Sequence, residues 1–282
     1  MFERLIPSMK AIFNSRIIET SDYLIKTSNR SFCYGDGLFE TIVTGHGRIN
    51  LIEKHIHRLK RGCKVLGMEF PNDLEMNSLE TMIQKLQAIN GFDGDIRTKV
   101  IVWRDSGGLY TPNLSSASFS LEVKASNSIL FQGIDQVDVS SEIHTQYSPI
   151  SFAKTTNALV YVLAGLEKKE NGLDEVILTD PNGNLSETHI SNLFWIKESK
   201  VYTPSLTTGC IEGIMRNTLI DLFHKNNIAV HEVEKTKEAL RDASSVFSTN
   251  ASGIKYLKRI GNWNYESPEN FLTPIIKQLQ QP

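Results

Sequence analysis

Residues 151–166 read SFAKTTNALVYVLAGL and contain a single charged side chain, that of Lys154. The uncharged segment extends further, because Lys154 is the only Asp, Glu, Lys or Arg between Ile143 and Leu166. The whole chain is 22% charged, so an even distribution would place about five charges in a segment of this length. Two interpretations stay open. The lysine either extends its ammonium to solvent from a buried element, or it is retained for the chemistry of its amine.

Composition and charge describe a globular protein with no general attraction to polyanions. The chain has 282 residues, of which 40% are hydrophobic, and its 30 basic and 32 acidic residues give a net charge of −2. This balance provides no electrostatic attraction to nucleic acid or to an anionic membrane, so neither is predicted as a partner. The length suits one large domain or two ordinary ones.

Cysteine usage and the N-terminal residues predict a cytoplasmic protein. Cys33, Cys63 and Cys210 are odd in number and have no Cys-x-x-Cys spacing, which argues against a disulfide framework or a zinc site and for a reducing compartment. Charges at Glu3 and Arg4 interrupt the N-terminal apolar residues, so no secretory segment is expected there. No apolar run approaches the ~18 residues of a membrane span.

The order of strand and helix patterns predicts an α+β protein. Residues 31–52 combine a turn, a strand at Leu38–Thr44, a Gly-containing turn at residues 45–47 and a second strand, which is typical of a hairpin. From Ile52 the apolar residues recur three and four apart, which predicts a helix. Many antiparallel strand patterns come after it, and this mixture favours α+β in two domains.

A boundary near Ser126 divides the sequence. It predicts an N-terminal domain of residues 1–125 and a C-terminal domain of residues 126–282, which would carry Lys154. A last strand is predicted to continue into a loop in FSTNASGI, residues 247–254. There Thr249 and Asn250 could approach an anion, although an ordinary turn explains the same residues.

A carboxylate and a helix start form two further candidate sites. Glu187 comes after a Pro- and Gly-containing turn and precedes a strand, where its carboxylate could pair with a protonated ring nitrogen or simply be solvated. In TTGCIEGIMRNTLIDLF, residues 207–223, a glycine-bearing turn leads into an amphipathic helix. The backbone N–H groups of Ile214 and Met215 would lie at that helix start, where the helix dipole favours an anion. An ordinary loop-to-helix junction has the same pattern.

Arg58 lies beside the apolar face of the helix in HIHRLKRG, residues 55–62. Its guanidinium could make paired hydrogen bonds to a phosphate, or it could be a surface charge. His55 and His57 are two residues apart, so they point to different faces of the helix and cannot both bind one metal. No metal site is predicted.

The order of these features resembles the class IV, fold-type IV pyridoxal 5′-phosphate (PLP) enzymes. That family includes branched-chain aminotransferases, D-amino-acid aminotransferases and 4-amino-4-deoxychorismate lyases. The resemblance runs from about Arg30 to about Ile254. The stretches that carry it are YGDGLFET, HIHRL, AKTTN, the Glu-x-x-x-Ser-Asn-Leu-Phe stretch at Glu187, VYTPSLTTGCIEGIMR and FSTNASGI.

The resemblance implies a role for each candidate. Lys154 would be the Schiff-base lysine and the proton-transferring base, and Arg58 would bind the cofactor phosphate. Glu187 would pair with the pyridine nitrogen. The backbone amides of Ile214 and Met215 would bind the same phosphate, with help from Thr249 and Asn250. The family's fold has a small N-terminal α/β domain and a larger, barrel-like C-terminal one with the cofactor between them, usually in a homodimer.

Near the lysine, the residues are more similar to the lyase and D-amino-acid groups. Branched-chain enzymes typically place an Asn-Tyr pair shortly after the lysine, whereas here Asn157 is followed by Ala158. The GIMR sequence at residues 213–216 also fits the lyase and D-amino-acid groups.

The substrate-binding residues depart from the family pattern. Many relatives carry an Arg-Gly-Tyr stretch that helps to hold the substrate carboxylate, but this chain has SGGLYTP at residues 106–112. Arg104 is the nearest candidate to replace that arginine. Phe39 stands where some D-amino-acid enzymes have a tyrosine that faces the substrate.

Three functions remain open, and the first is the leading prediction. The chain would be a PLP-dependent aminotransferase acting on a small or medium amino acid and a 2-oxo acid. The alternative in the same family is 4-amino-4-deoxychorismate lyase, which eliminates pyruvate in 4-aminobenzoate and folate synthesis. A hypothesis of another class is a non-catalytic PLP-binding protein, which would have no need of an uncharged segment around Lys154.

Overall fold

The computed structural model of the chain describes residues 9–22, 24–44, 51–127 and 129–280. The chain forms two compact units. The first contains Met1–Asn127 together with Ala153–Asn157, and the second contains Ser128–Phe152 and Ala158–Pro282.

The assignment of Lys154 differs from the prediction, which placed it in the C-terminal domain. Its segment, Ala153–Asn157, belongs to the first unit. The physical reason is backbone pairing: the Phe39 N–H donates to the Lys154 carbonyl at 2.8 Å, and the Thr156 N–H donates to the Gly37 carbonyl at 2.9 Å. A domain boundary placed from sequence composition cannot detect a short segment that returns to pair with an earlier strand.

An antiparallel sheet forms the centre of the first unit. Its strand order is β2-β1-β5-β4-β3, and three helices accompany it within the described residues. The elements are β1 (Lys10–Phe13), β2 (Arg16–Glu19), α1 (Arg30–Tyr34), β3 (Gly37–Thr44), α2 (Ile52–Leu66), α3 (Met76–Ile89), β4 (Ile96–Arg104) and β5 (Ala117–Ala125).

One face of β4 and one face of α2 contribute buried side chains to the core of the first unit. Along β4 the side chains of Ile96, Thr98, Val100 and Val102 are buried on one face. In α2 the predicted helical spacing is reproduced, since the apolar residues three and four apart face the core. These buried residues are Ile52, Ile56, Leu59 and Cys63. The predicted turn at residues 45–47 lies outside the described residues.

The second unit is built on a larger mixed sheet. Its main path is β16-β15-β7-β8-β9-β10-β13-β14-β6, and β11 joins β10 to β12 beside that path. The elements are β6 (Phe131–Ile134), β7 (Val137–His144), α4 (Leu159–Glu170), β8 (Glu175–Thr179), β9 (Leu185–Thr188), β10 (Asn192–Lys197), β11 (Lys200–Pro204), α5 (Ile214–Lys225), β12 (Val230–Val233), β13 (Ser245–Asn250), β14 (Gly253–Leu257), β15 (Arg259–Ile260), β16 (Trp263–Asn264) and α6 (Glu269–Leu279).

The segment predicted as a strand and loop in FSTNASGI is a hairpin. Thr249 pairs with Ile254 and Asn250 pairs with Gly253, so both predicted anion-binding residues lie at the end of β13 and not in a loop. Gly253 has φ of 144°, a conformation that L side chains rarely adopt, which explains why glycine begins β14.

One side of helix α4 packs against β8 within the second unit. Tyr161 and Ala164 contact the buried Val176 and Leu178 of β8. Five apolar residues on the rest of the helix are exposed to solvent: Leu159, Val160, Val162, Leu163 and Leu166. No helix among the described residues is long and apolar enough to cross a membrane.

Candidate active site

Lys154 lies against the aromatic ring of Phe39 in the first unit. The Lys154 Nζ is 5.5 Å from the centre of that ring, and the Lys99 Nζ is 5.4 Å from it. Ammonium groups at this distance are attracted by the ring face. The backbone pairing of Lys154 with β3 fixes the start of its side chain, so the structure brings two predicted site residues together here.

Arg58 is buried on α2 and held by a carboxylate that the sequence analysis did not single out. The Arg58 Nε donates to Glu40 Oε1 at 2.7 Å, and its Nη2 donates to Glu40 Oε2 at 2.5 Å. The His55 Nδ1 donates to Glu40 Oε2 at 2.7 Å. Burial opposes ionisation of Glu40, but the Arg58 guanidinium and then His55 outweigh it and lower the pKa of Glu40 to about 2.

This arrangement fixes one edge of the guanidinium. Arg58 is one helical turn before Gly62, and a Cβ at Gly62 would meet the Ala153 side chain at 3.5 Å. Arg58 therefore lies near the segment that carries Lys154. Glu40 belongs to the stretch YGDGLFET, but no local pattern indicates its role, because its partner is 18 residues away on a different element.

Arg104 is occupied by structural contacts. Its Nε donates to Asp36 Oδ2 at 2.9 Å, and its Nη1 donates to the carbonyls of Gly67 at 3.0 Å and Leu114 at 3.1 Å. Arg30 shares the same Asp36 oxygen at 2.8 Å. The structure thus gives Arg104 a role in joining loops, and its contact with the substrate stays a prediction.

Three polar side chains form a row across the sheet of the second unit. Asn192 on β10 pairs with Glu187 on β9 and with Thr249 on β13. Directly opposed residues in antiparallel strands point to the same face and lie about 5 Å apart. The structure therefore brings together Glu187 and Thr249, two predicted site residues that are 62 positions apart in the sequence, with Asn192 between them.

Donors from three elements surround the Glu187 carboxylate, which is buried. Its Oε1 accepts the Tyr161 hydroxyl of α4 at 2.7 Å and the Ile211 N–H at 3.2 Å. Its Oε2 accepts the Asn192 side-chain amide at 3.4 Å. Of the two interpretations of this turn residue, the solvated one is wrong, because the Glu187 carboxylate is buried and accepts hydrogen bonds from these donors.

The start of α5 adjoins this row. Gly213 precedes the helix and provides no side-chain cap, so the first-turn N–H groups, including those of Ile214 and Met215, remain available to an outside acceptor. A Cβ on Gly213 would overlap Asn192 Oδ1, which places the helix start directly beside Asn192. Exposed N–H groups and the positive end of the helix dipole favour an anion at a helix start of this kind.

The Thr249 hydroxyl also supports an anionic ligand beside the start of α5. It is 1% exposed, and no hydrogen-bond partner for its Oγ1 exists among the described residues. A buried unpaired hydroxyl is costly, so an absent ligand is a good explanation for it. The phosphate and ring nitrogen of PLP fit this donor and acceptor set: N–H groups and a hydroxyl for the first, a carboxylate for the second.

Asn250 takes a different role from its neighbour. Its Nδ2 donates to Ser191 Oγ at 2.9 Å and to the Ile190 carbonyl at 3.3 Å, while its Oδ1 accepts the Ser252 N–H at 2.8 Å. Successive side chains on a strand point to opposite faces. Asn250 therefore stabilises the turn before β10, and the structure does not bring its side chain to the row that contains Thr249.

The match to a family model decides the family. The model for amino-transferase class IV matches residues 37–256. This chain belongs to the class IV aminotransferases. Among its relatives are aminodeoxychorismate lyase of Vibrio harveyi, 25% identical over 80% of this chain and 83% of the relative, and D-alanine aminotransferase of Bacillus licheniformis, 25% identical over 86% of this chain and 85% of the relative.

Solved structures establish the fold of this class IV enzyme. The crystal structure of a branched-chain aminotransferase from Thermoproteus uzoniensis with norvaline matches with a TM-score of 0.84 at 24% identity, over 96% of this chain and 93% of that chain. The predicted α+β, fold-type IV architecture is confirmed. Class IV aminotransferases use PLP, so the predicted cofactor is confirmed as well.

Tyr161, Asn192 and Ile211 are contacts that the sequence analysis missed. Asn192 had a signal, since it stands five residues after Glu187 across a turn, which suits two paired strands. The sequence signal for Tyr161 was limited to its position in the helix after Lys154. Ile211 had no signal, because it acts through its backbone N–H and not through its side chain. Among the described residues, no group of three or more His, Cys, Asp or Glu side chains is arranged to hold a metal ion.

Proposed function

We propose that this class IV enzyme transfers an amino group between a small or medium amino acid and a 2-oxo acid. The observation that carries the proposal is the row of Glu187, Asn192 and Thr249 beside the uncapped start of α5, with a buried hydroxyl that has no partner among the described residues. A carboxylate and an anion site on one face are what a phosphorylated pyridine requires.

The second unit offers neutral donors to the phosphate. Ile214 and Met215 supply backbone N–H groups at the positive end of α5, and Thr249 supplies its hydroxyl. In the first unit, Glu40 and His55 hold the Arg58 guanidinium in one orientation, which suits a charged ligand of a phosphate. Asn250 acts indirectly, by stabilising the turn that precedes Asn192.

Glu187 and Lys154 perform the chemistry. Bound PLP withdraws electrons from the substrate α-carbon and so acidifies its proton. Glu187 accepts a hydrogen bond from the ring nitrogen and keeps that nitrogen protonated. The Lys154 Nζ would hold the cofactor covalently, and once its amine is free it would move the proton at the substrate α-carbon. Phe39, in contact with Lys154, limits the space for the substrate side chain.

The lyase reaction is the second candidate. It is favoured by the match to aminodeoxychorismate lyase of Vibrio harveyi. Both reactions use Lys154 and Glu187 and differ only in the steps after removal of the α-proton. Supplying aminodeoxychorismate and a panel of amino and oxo acids separates them. Pyruvate release from aminodeoxychorismate, without amino transfer to any oxo acid, would replace the aminotransferase assignment by the lyase.

The proposed enzyme works as a homodimer in the cytoplasm. The exposed apolar side of α4 supports dimerisation, because a surface of this kind is usually covered by a partner. Cys33, Cys63 and Cys210 are all free thiols, which supports a reducing compartment.

Borohydride trapping tests the proposal directly. Purified protein incubated with PLP should absorb in the visible range, and reduction should attach a label to Lys154. Lys154→Ala should lose turnover by roughly 10²–10⁴-fold or more while retaining non-covalently bound cofactor. Lys99→Ala, which changes the other ammonium group at the Phe39 ring, should keep the label on Lys154. A colourless protein without label after reduction would refute the assignment.

A further inference from the structure

The roles of Lys154 and Glu187 in the proposed reaction do not account for the contact between Tyr161 and Glu187. The Tyr161 hydroxyl donates to Glu187 Oε1 at 2.7 Å, a shorter distance than those from the Ile211 N–H, 3.2 Å, and the Asn192 amide, 3.4 Å. Tyr161 lies on α4, seven residues after Lys154, and packs with Ala164 against β8. It is half-buried, with its hydroxyl directed at the carboxylate of the Glu187–Asn192–Thr249 row.

Donors on a carboxylate change how strongly it holds a proton. Each hydrogen bond to the ionised form stabilises that form, so the carboxylate becomes less basic. When such a carboxylate shares a proton with a pyridine nitrogen, the proton stays with the more basic partner. Donors to Glu187 therefore favour a protonated ring nitrogen, the form that withdraws electrons from the substrate.

We infer that Tyr161 is a positioning residue for Glu187: its hydroxyl fixes the carboxylate and keeps the shared proton on the ring nitrogen of the cofactor. The inference rests on the proposed pairing of Glu187 with that nitrogen. Tyr161 itself acts through Glu187. The Ile211 N–H and the Asn192 amide assist it from the loop before α5 and from β10.

The ionisation state of Tyr161 suits this role. Burial, followed by the nearby Glu187 carboxylate, raises the pKa of Tyr161 well above its usual range. The hydroxyl thus keeps its proton throughout the working pH range and always acts as the donor. An ionised phenolate would repel Glu187 and could not fix it.

The position of the ring proton can be measured by ¹⁵N NMR of enzyme loaded with ring-¹⁵N PLP. Glu187→Gln removes the carboxylate and defines the signal of the least protonated ring. Tyr161→Phe should move the ¹⁵N signal from the wild-type position part of the way towards that limit. Its kcat should fall roughly tenfold, about 1.4 kcal/mol, with KM changed less than about twofold. Tyr161→3-fluorotyrosine, a stronger donor, should move the signal in the opposite direction.

Tyr265→Phe is the matched control. The Tyr265 hydroxyl is buried and has no hydrogen-bond partner among the described residues, so its loss should leave the ¹⁵N signal at the wild-type position. An unchanged signal in Tyr161→Phe, with Glu187→Gln shifted, would overturn the role of Tyr161 alone. An unchanged signal in Glu187→Gln would overturn the proposed role of Glu187 and leave Tyr161 without one.

Discussion

A single buried carboxylate, that of Glu40, determines where the Arg58 guanidinium lies. Glu40→Gln should destabilise the protein by about 3–5 kcal/mol at neutral pH, because it leaves a buried arginine without its counter-charge. The same variant should weaken binding of PLP, since Arg58 is no longer held in one orientation. Urea unfolding gives the first quantity and cofactor titration of the apoenzyme gives the second.

The contribution of Glu40 to the stability of the protein should decrease as pH falls. The folded-state pKa of Glu40 is lowered from 4.5 to about 2, so the carboxylate contributes stability above the unfolded-state pKa and loses it as pH falls through the folded-state value. The difference in stability between wild type and Glu40→Gln should therefore shrink between about pH 4.5 and pH 2. Glu53→Gln, an exposed carboxylate at the start of α2, is the control and should show no such trend. A difference that is constant over this range would contradict the ion-pair explanation.

Candidate site residues can be recognised in the sequence where the pattern that marks them is local. Lys154 was visible because it breaks an uncharged segment, and Ile214 and Met215 because a glycine-bearing turn leads into a helix. The partners that orient the site were not visible. Glu40 and Tyr161 reach Arg58 and Glu187 only through tertiary contacts, which leave no spacing signal in the sequence.

At the scale of elements, strand β13 offers a comparison between its two faces. Thr249 and Ser248 are adjacent, both are buried, and the hydroxyls of both lack a partner among the described residues. Thr249→Val should raise stability by up to about 1 kcal/mol, because an unpaired buried hydroxyl is removed. It should weaken pyridoxamine 5′-phosphate binding roughly tenfold, because a donor to the phosphate is lost.

Ser248→Ala is the control from the opposite face of the same strand. It should raise stability in the same way but leave binding of pyridoxamine 5′-phosphate unchanged, since alternate side chains point away from the row with Asn192. Thermal unfolding and calorimetric titration measure the two effects separately. Equal losses of affinity in both variants would mean that β13 affects the site through general packing and not through the Thr249 hydroxyl.

Sequence patterns predict the boundaries of some elements closely and those of others poorly. Helix α2 and strand β3 were predicted closely because their apolar periodicity is dictated by one buried face. The sequence predicts a strand that continues into a loop here, because Thr, Asn, Ala, Ser and Gly are turn residues, yet the cross-strand register extends through Asn250 and Gly253. Pairing between strands overrides the local preference of these residues.

At the scale of the whole molecule, the two-domain prediction and the two units of the structure differ in the segment that carries Lys154. Composition placed Lys154 with the residues that come after it, whereas backbone hydrogen bonds to β3 place it in the first unit. Pairing between positions that are more than a hundred residues apart is set by the fold, so only the fold could reveal it.

The oligomeric state gives the last prediction. Leu159, 69% exposed, and Leu163 and Leu166 share one side of α4, and covering this side with a second copy would bury apolar surface that a monomer leaves in water. Wild type should therefore sediment at twice 31.8 kDa. Leu163→Lys should cost the monomer less than about 0.5 kcal/mol, since the position is at the surface, but would bury an unpaired ammonium in a dimer and shift it to monomer. Glu170→Gln is the control for Leu163→Lys: it makes the same change of charge on an exposed position of α4 and should stay dimeric. A wild-type protein that sediments as a monomer at all concentrations, or a dimer unaffected by Leu163→Lys, would show that this side of α4 is not the interface.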